Sequence, residues 1–242
     1  MYRMISLIYF LLVFPIVFFF FIVISRYNKK INDTLILLLL GVLLFIVRFL
    51  LIFFAPSIGI IPYLKPDLLF YILLMIFGVI VTIIYVKRVE KTRFKELGWE
   101  VKKVQKSVLI GFLSFIPLIC IIPLILLLAD IQLSLDITFE KIILGITFGI
   151  VLGGFYEETM FRGVIQNHLM MLTNNSAKKS IILTAIIFTS THIFYLPFIG
   201  FGIFYIFLFV MAVILSILRY MYNQLSCFIL HGGIVFILIV FV

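Results

Sequence analysis

Two adjacent carboxylates, Glu157 and Glu158, lie inside an apolar run that is long enough to span a membrane. An ionisable side chain at the centre of a bilayer costs about 2.5–3.5 kcal/mol on insertion scales, so such groups mark functional sites. All the other acidic residues of the chain fall in polar gaps between apolar runs. The pair therefore predicts a functional site within the membrane.

Helical spacing separates the two carboxylates. Glu158 and Arg162 are four residues apart and share a helix face, so we expect them to form an ion pair within their helix. Glu157 is rotated by about 100° from Glu158 and is turned toward a different neighbour. His192 and His231 lie in two later apolar runs, at similar depths from the predicted cytoplasmic ends. We expect Glu157 and both histidines to share one cavity in the cytoplasmic half of the membrane.

A carboxylate beside two imidazoles suits the hydrolysis of an amide bond. A desolvated glutamate can take a proton from water as the water attacks a carbonyl, while an imidazole orients the water or stabilises the developing charge. Two histidines and one glutamate are also a legitimate zinc set, so a zinc site is the alternative. The His-Glu-x-x-His spacing of many metalloproteases and the Gly-x-Ser-x-Gly nucleophile motif are both absent from the sequence. A purely structural ion pair with satisfied core histidines is the remaining interpretation.

The composition places this site in an integral membrane protein. Of the 242 residues 65% are hydrophobic and 12% are charged, whereas a soluble domain is about half apolar and a quarter charged. The net charge of +9 comes from loops, as membrane topology predicts, so we expect no nucleic-acid partner. Both cysteines, Cys120 and Cys227, lie in apolar runs and are expected to be buried without a disulfide.

Apolar runs of about 18 or more residues predict about eight transmembrane helices in a single all-α membrane domain covering 1–242. They cover roughly 4–25, 34–55, 67–86, 107–128, 141–168, 180–196, 199–220 and 225–242. Most lysines and arginines fall in the loops after the odd-numbered helices, which predicts that both termini lie outside. We expect a multi-pass protein of the plasma membrane, with the lipid bilayer as its surroundings and a composition typical of bacteria.

Three further features lie outside the carboxylate site. The basic segment 87–106 interleaves lysines and arginines with apolar residues, which predicts a short amphipathic helix on anionic headgroups with Trp99 at the interface, or a docking site for a partner. Arg48, inside the second run, either snorkels or pairs with a buried acid. His168 stands where the fifth run ends, so we expect it to be exposed at the interface.

The polar residues resemble the motifs of the CAAX protease and bacteriocin-processing family, also called the CPBP or Abi family. They read Glu157-Glu158-x-x-x-Arg162, then Phe188-x-x-x-His192, then His231, in the family's order, and form a motif core over 140–242. The family's last motif usually has a polar residue four positions after the histidine. This chain has Val235 there, which cannot donate a hydrogen bond.

The resemblance implies an intramembrane endopeptidase that hydrolyses a peptide bond in a membrane-associated peptide or protein, in bacteriocin maturation or self-immunity, without a cofactor. It implies that Glu157 activates water, that His192 orients it and that His231 contributes to an oxyanion hole. Glu158 and Arg162 would shape the site or contact substrate, with Phe188 and Val235 in supporting positions. The alternative is a non-catalytic immunity or scaffold membrane protein of the same family, which binds a peptide or a membrane partner.

Overall fold

The computed structural model describes residues 75–76, 78–80, 82–100, 102–128, 136–192 and 202–241. The predicted runs 4–25 and 34–55, Arg48 and half of the run 67–86 lie outside these residues, as does the side chain of Cys120. Every regular element within the described ranges is a helix, which confirms the all-α class. The count of eight membrane-spanning helices and the location of the termini stay predictions.

The helices are named here in chain order. They are α1 (Tyr85–Val89), α2 (Lys95–Trp99), α3 (Val104–Leu128), α4 (Phe139–Leu172), α5 (Ala177–Thr191), α6 (Ile203–Met221) and α7 (Gln224–Phe241). Four stretches of the described chain are long and apolar enough to cross a membrane: Val104–Pro123, Phe139–Leu172, Phe204–Met221 and Gln224–Phe241. Helix α5 has only 15 residues, which gives about 22 Å and falls short of a full span. Of the predicted run 180–196, residues 180–191 belong to this helix, and residues 193–196 lie outside the described part of the chain.

Helix α4 begins at a defined cap and carries the central glutamates. Thr138 precedes it, and its hydroxyl oxygen accepts a hydrogen bond from the backbone N–H of Lys141. The helix then has two stretches of wide, π-type turns, Gly145–Glu157 and Thr159–Ile165. Such widened turns occur often at functional sites. They flank Glu158 on both sides.

Helices α4 and α7 approach each other closely because small residues face each other. A Cβ atom placed on Gly149 would lie 2.6 Å from the backbone nitrogen of Phe236 and 2.8 Å from the carbonyl oxygen of Gly232. Only glycine fits at such a distance, and small residues are what allow membrane helices to pack backbone to backbone. This contact holds the turn that carries Glu157 next to the turn that carries His231.

Two clusters of buried apolar side chains support this arrangement. The larger one joins α3, α5, α6 and α7 and includes Phe188, Met211, Leu215 and Leu230. The smaller one joins α1 and α2 to α4. Cys227 is buried with a free thiol, as expected from its apolar run.

The structure corrects the prediction for His168. Helix α4 continues four residues beyond the predicted end at 168, so His168 lies within the helix and not at its end. Its imidazole Nε2 is 3.0 Å from a carboxylate oxygen of Glu90, and its side chain is only 17% exposed. The expected exposure at the interface is wrong because the segment after α1 folds back onto α4.

Candidate active site

The buried ion pair predicted from the helix spacing is present. The Arg162 guanidinium donates to Glu158 Oε1 at 2.8 Å, and both side chains are fully buried. The same carboxylate oxygen lies 2.6 Å from Nδ1 of His231 on α7. Glu158 therefore bridges Arg162 and His231, a contact across two helices that the spacing along one helix did not predict.

Glu157 faces both histidines, as the sequence predicted. Its Oε2 atom is 3.8 Å from Nε2 of His231 and 4.0 Å from Nε2 of His192. The Glu157 side chain is 10% exposed, and those of His192 and His231 are 13% and 3% exposed. The three groups thus share one mostly dry site, in which electrostatic interactions are stronger than in water.

The end of α5 sets the orientation of His192. The helix ends at Thr191, and His192 Nδ1 lies 2.8 Å from the carbonyl oxygen of Phe188. A carbonyl only accepts, so Nδ1 carries a hydrogen, and Nε2 is the ring nitrogen that faces Glu157. The Tyr205 hydroxyl donates to the carbonyl oxygen of His192 at 2.8 Å, which ties the end of α5 to α6.

Phe188 is the packing centre of the site. Its ring is fully buried, and the guanidinium carbon of Arg162 lies 4.2 Å from its centroid, within the range of a cation–π contact. The ring centroids of His192 and His231 lie 4.5 Å and 5.6 Å from that of Phe188. The Phe-x-x-x-His motif therefore supplies both an imidazole and the apolar surface that separates it from the ion pair.

Val235 lies one helical turn beyond His231 and is partly buried. An isopropyl group offers no hydrogen-bond donor. The side chain at position 235 therefore cannot stabilise an oxyanion by a hydrogen bond.

The distances between the three groups are longer than those between the ligand atoms of a tetrahedral zinc site. Tetrahedral zinc with ligand distances of about 2.0–2.2 Å places neighbouring ligand atoms about 3.4 Å apart. The distances between Glu157 Oε2 and the two Nε2 atoms are longer, at 3.8 Å and 4.0 Å. Within the described residues no group of three or more His, Cys, Asp or Glu side chains is placed to hold a metal ion.

Contacts with neighbouring groups explain how two carboxylates can share this dry site. Buried charges are tolerated when they are paired and hydrogen-bonded. Arg162 pairs with Glu158, and the imidazole of His231 contacts both glutamates.

Two residues next to the site were not identified from the sequence. Thr159 follows Glu158 directly and is fully buried, with its hydroxyl oxygen 3.1 Å from the indole nitrogen of Trp99. Tyr205 holds the backbone of His192. Neither residue is charged or lies at a motif spacing that would identify it from the sequence. Only the tertiary contacts show that both residues lie next to the site.

Comparison with protein families matches residues 139–237 to the type II CAAX prenyl endopeptidase Rce1-like family. The match includes every residue of the three motifs and confirms the family resemblance expected from the sequence. Comparisons with curated proteins and with solved structures find no significant match. The family match and the apolar helices together indicate an integral membrane protein.

Proposed function

We propose, on the premise that residues 139–237 match a CAAX endopeptidase family, that this protein is an intramembrane endopeptidase. It hydrolyses a peptide bond in a membrane-associated peptide or protein, and Glu157 activates the water. The observation that carries the proposal is the position of Glu157 Oε2, 3.8 Å and 4.0 Å from two imidazole nitrogens in a mostly buried site.

These distances suit a water molecule between the groups. They are too long for direct hydrogen bonds, and a water can bridge polar atoms at such separations. Such a water donates one hydrogen to Glu157 Oε2 and the other to the lone pair of His192 Nε2. Its own lone pair then points to the substrate carbonyl, and Glu157 takes the proton as the carbon–oxygen bond forms. Glu157 returns this proton to the amide nitrogen as the carbon–nitrogen bond breaks, which releases the amine and restores the carboxylate. His192 in this role orients the water.

His231 stabilises the negative charge that forms on the carbonyl oxygen. The contact of its Nδ1 with Glu158 Oε1 at 2.6 Å fixes the ring so that Nε2 is turned toward Glu157. In this role Nε2 carries a hydrogen and donates it to the carbonyl oxygen, which is the requirement for an oxyanion hole. Arg162 balances the second charge on Glu158 and keeps its carboxylate in place.

Position 235 limits the rate of this reaction. Removing one oxyanion donor costs about 10²–10³ in kcat in enzymes where it has been tested. With valine there, we expect a slow enzyme, which suits the processing of few substrate molecules. Maturation of a bacteriocin or immunity to one in the bacterial plasma membrane, as the family resemblance implies, needs no rapid turnover.

The valine also favours a second candidate, a non-catalytic immunity or scaffold protein. Such a protein would use the same cavity to bind a peptide or a membrane partner. The buried ion pair and Phe188 would then serve packing alone. Cleavage by the wild-type protein separates the two candidates.

The test uses the full-length protein in proteoliposomes with membrane-anchored peptides and mass spectrometry of the products. We expect wild-type protein to release defined fragments, Glu157→Gln to release none, and Glu140→Gln, an acidic residue at the other end of α4, to match wild type. Cleavage that survives in Glu157→Gln would contradict the proposed base. If the purified wild-type protein contained stoichiometric zinc, and His192→Ala and His231→Ala lost it, the water would be activated by a metal ion and not by Glu157.

A further inference from the structure

We propose that Trp99 is a positioning residue that holds in place the turn of α4 carrying Glu157 and Glu158. The proposal rests on the function proposed above, because it concerns the same site. Trp99 is the single tryptophan of the chain and lies in the basic segment 87–106, outside the family motifs. The sequence alone favoured an interfacial role for it, whereas the structure directs its indole N–H into the protein.

A short relay of hydrogen bonds links the indole to the glutamates. Trp99 Nε1 donates to Thr159 Oγ1 at 3.1 Å, and Thr159 Oγ1 donates to the carbonyl oxygen of Phe155 at 2.6 Å. The backbone N–H of Glu158 donates to the same carbonyl. This one carbonyl thus closes the turn 155–159. A threonine hydroxyl on a helix has two accessible rotamers, and the indole selects the one that donates to Phe155.

The indole ring also bridges the two helices that form the site. Its centroid is 5.5 Å from that of Phe155 on α4 and 6.0 Å from that of Phe228 on α7, in tilted and edge-on geometries. Both arrangements are favourable for aromatic pairs. Phe228 precedes His231 by three residues and therefore lies within the same turn. Trp99 thus touches both helices whose separation sets the distance from Glu157 to His231.

The residues just before Trp99 fix its approach to α4. Leu97 is 4% exposed and packs with Met160 and Val164. Gly98 has a φ of 91°, which L side chains rarely adopt, and a Cβ there would lie 2.5 Å from the guanidinium carbon of Arg219. The left-handed turn at Gly98 lets Leu97 and Trp99 both pack on α4. The docking of α2 is therefore specified by three consecutive residues.

Fluorescence of the single tryptophan tests the docking without any activity assay. In bilayers that contain brominated lipids we expect wild-type emission to be largely protected from quenching, because the indole is bonded to α4. Thr159→Val should change the emission wavelength, since it removes the acceptor of the indole hydrogen bond. Quenching like that of a lipid-facing indole, together with an unchanged spectrum in Thr159→Val, would overturn the proposal.

Kinetics of three variants test the effect on the site. Trp99→Phe keeps a ring and loses the N–H, Thr159→Val loses the hydroxyl, and Thr92→Val is the control, since its hydroxyl binds Glu96 within the basic segment. We expect the first two each to lower kcat by roughly three- to tenfold with KM unchanged, as for the loss of one hydrogen bond. The double variant Trp99→Phe with Thr159→Val should lose no more than either single one. Wild-type kcat in both single variants, or a multiplied loss in the double, would overturn the positioning role.

A chemical readout keeps this test separate from that of the proposed function. Dicyclohexylcarbodiimide modifies carboxyl groups in apolar sites, and mass spectrometry measures its rate of reaction at Glu157, with Glu157→Gln as the blank. We expect a severalfold change of that rate in Trp99→Phe and Thr159→Val and none in Thr92→Val. If the wild-type protein cleaves no peptide, the endopeptidase proposal fails, and the modification rate alone decides for or against the positioning role. An unchanged rate in both variants overturns it.

Discussion

Replacing Arg162 by methionine tests how the buried ion pair is held. The change keeps an unbranched apolar stem, though a shorter one, and removes the charge, which leaves Glu158 as a buried carboxylate with His231 as its remaining partner. The structure shows what is lost: a charge-assisted hydrogen bond of 2.8 Å and a cation–π contact of 4.2 Å with Phe188. These are worth about 1.5–3 kcal/mol and about 1–2 kcal/mol. Together they agree with the loss of about 3–5 kcal/mol seen when one partner of a buried pair is removed.

A double-mutant cycle separates the pair from its surroundings. Glu158→Gln with Arg162→Met removes both charges, so it should be less destabilising than the sum of the single changes, with a coupling energy of about 0.5–3 kcal/mol. The assay is unfolding of the purified protein in mixed micelles with increasing dodecyl sulfate, followed by the fluorescence of the single tryptophan. The exposed pair of Arg93 and Glu96 is the control, and Arg93→Met should leave the unfolding free energy unchanged within error. Strict additivity at Glu158 and Arg162 would refute the reasoning.

Three other predictions concern the oxyanion position, the helix contact and the basic segment. Val235→Asn places a donor one turn from His231, and we expect kcat to rise about tenfold or more, whereas Val235→Leu should not raise it. Steady-state peptide cleavage measures both variants, and equal rates in the two would refute the idea that an oxyanion donor is missing. Gly149→Ala puts a Cβ 2.6 Å from the backbone of Phe236, so it should lower both the melting temperature and kcat. Unchanged values of both would show that α4 and α7 are not in tight contact. Hydrogen bonds from the Thr92 hydroxyl and from Arg93 lower the pKa of Glu96 from 4.5 to about 2. Because the folded pKa is depressed, the local stabilisation is complete above about pH 4.5 and is lost as the pH falls through about 2; a carboxyl NMR titration of Glu96 with a midpoint near 4.5 would contradict this.

Much of the site could be predicted because charged side chains within a membrane-spanning run carry a large free-energy cost. Charges and imidazoles within apolar runs are few, and the four-residue spacing of Glu158 and Arg162 requires a shared face in any helix. Glu157 could be assigned to the histidines by exclusion, since the ion pair occupies its neighbour.

The remaining features depend on tertiary packing, which spacing along one helix does not encode. The contact between Glu158 and His231 joins two residues 73 positions apart. The pairing of His168 with Glu90 requires the segment after α1 to fold back on α4. For Trp99, an aromatic residue among lysines suited the membrane interface equally well, and only the positive φ at Gly98 turns it toward Thr159.

The central claim is that Glu157 activates water between His192 and His231. The most direct test is the single-turnover rate constant for peptide cleavage at saturating enzyme, measured for the wild type and for Glu157→Gln, with the affinity for the peptide measured in parallel. The amide is nearly the same size and cannot accept the proton, so we expect the rate constant to fall by about 10²–10⁴-fold while the affinity changes by less than about twofold. A rate constant in Glu157→Gln equal to that of the wild type would contradict the account.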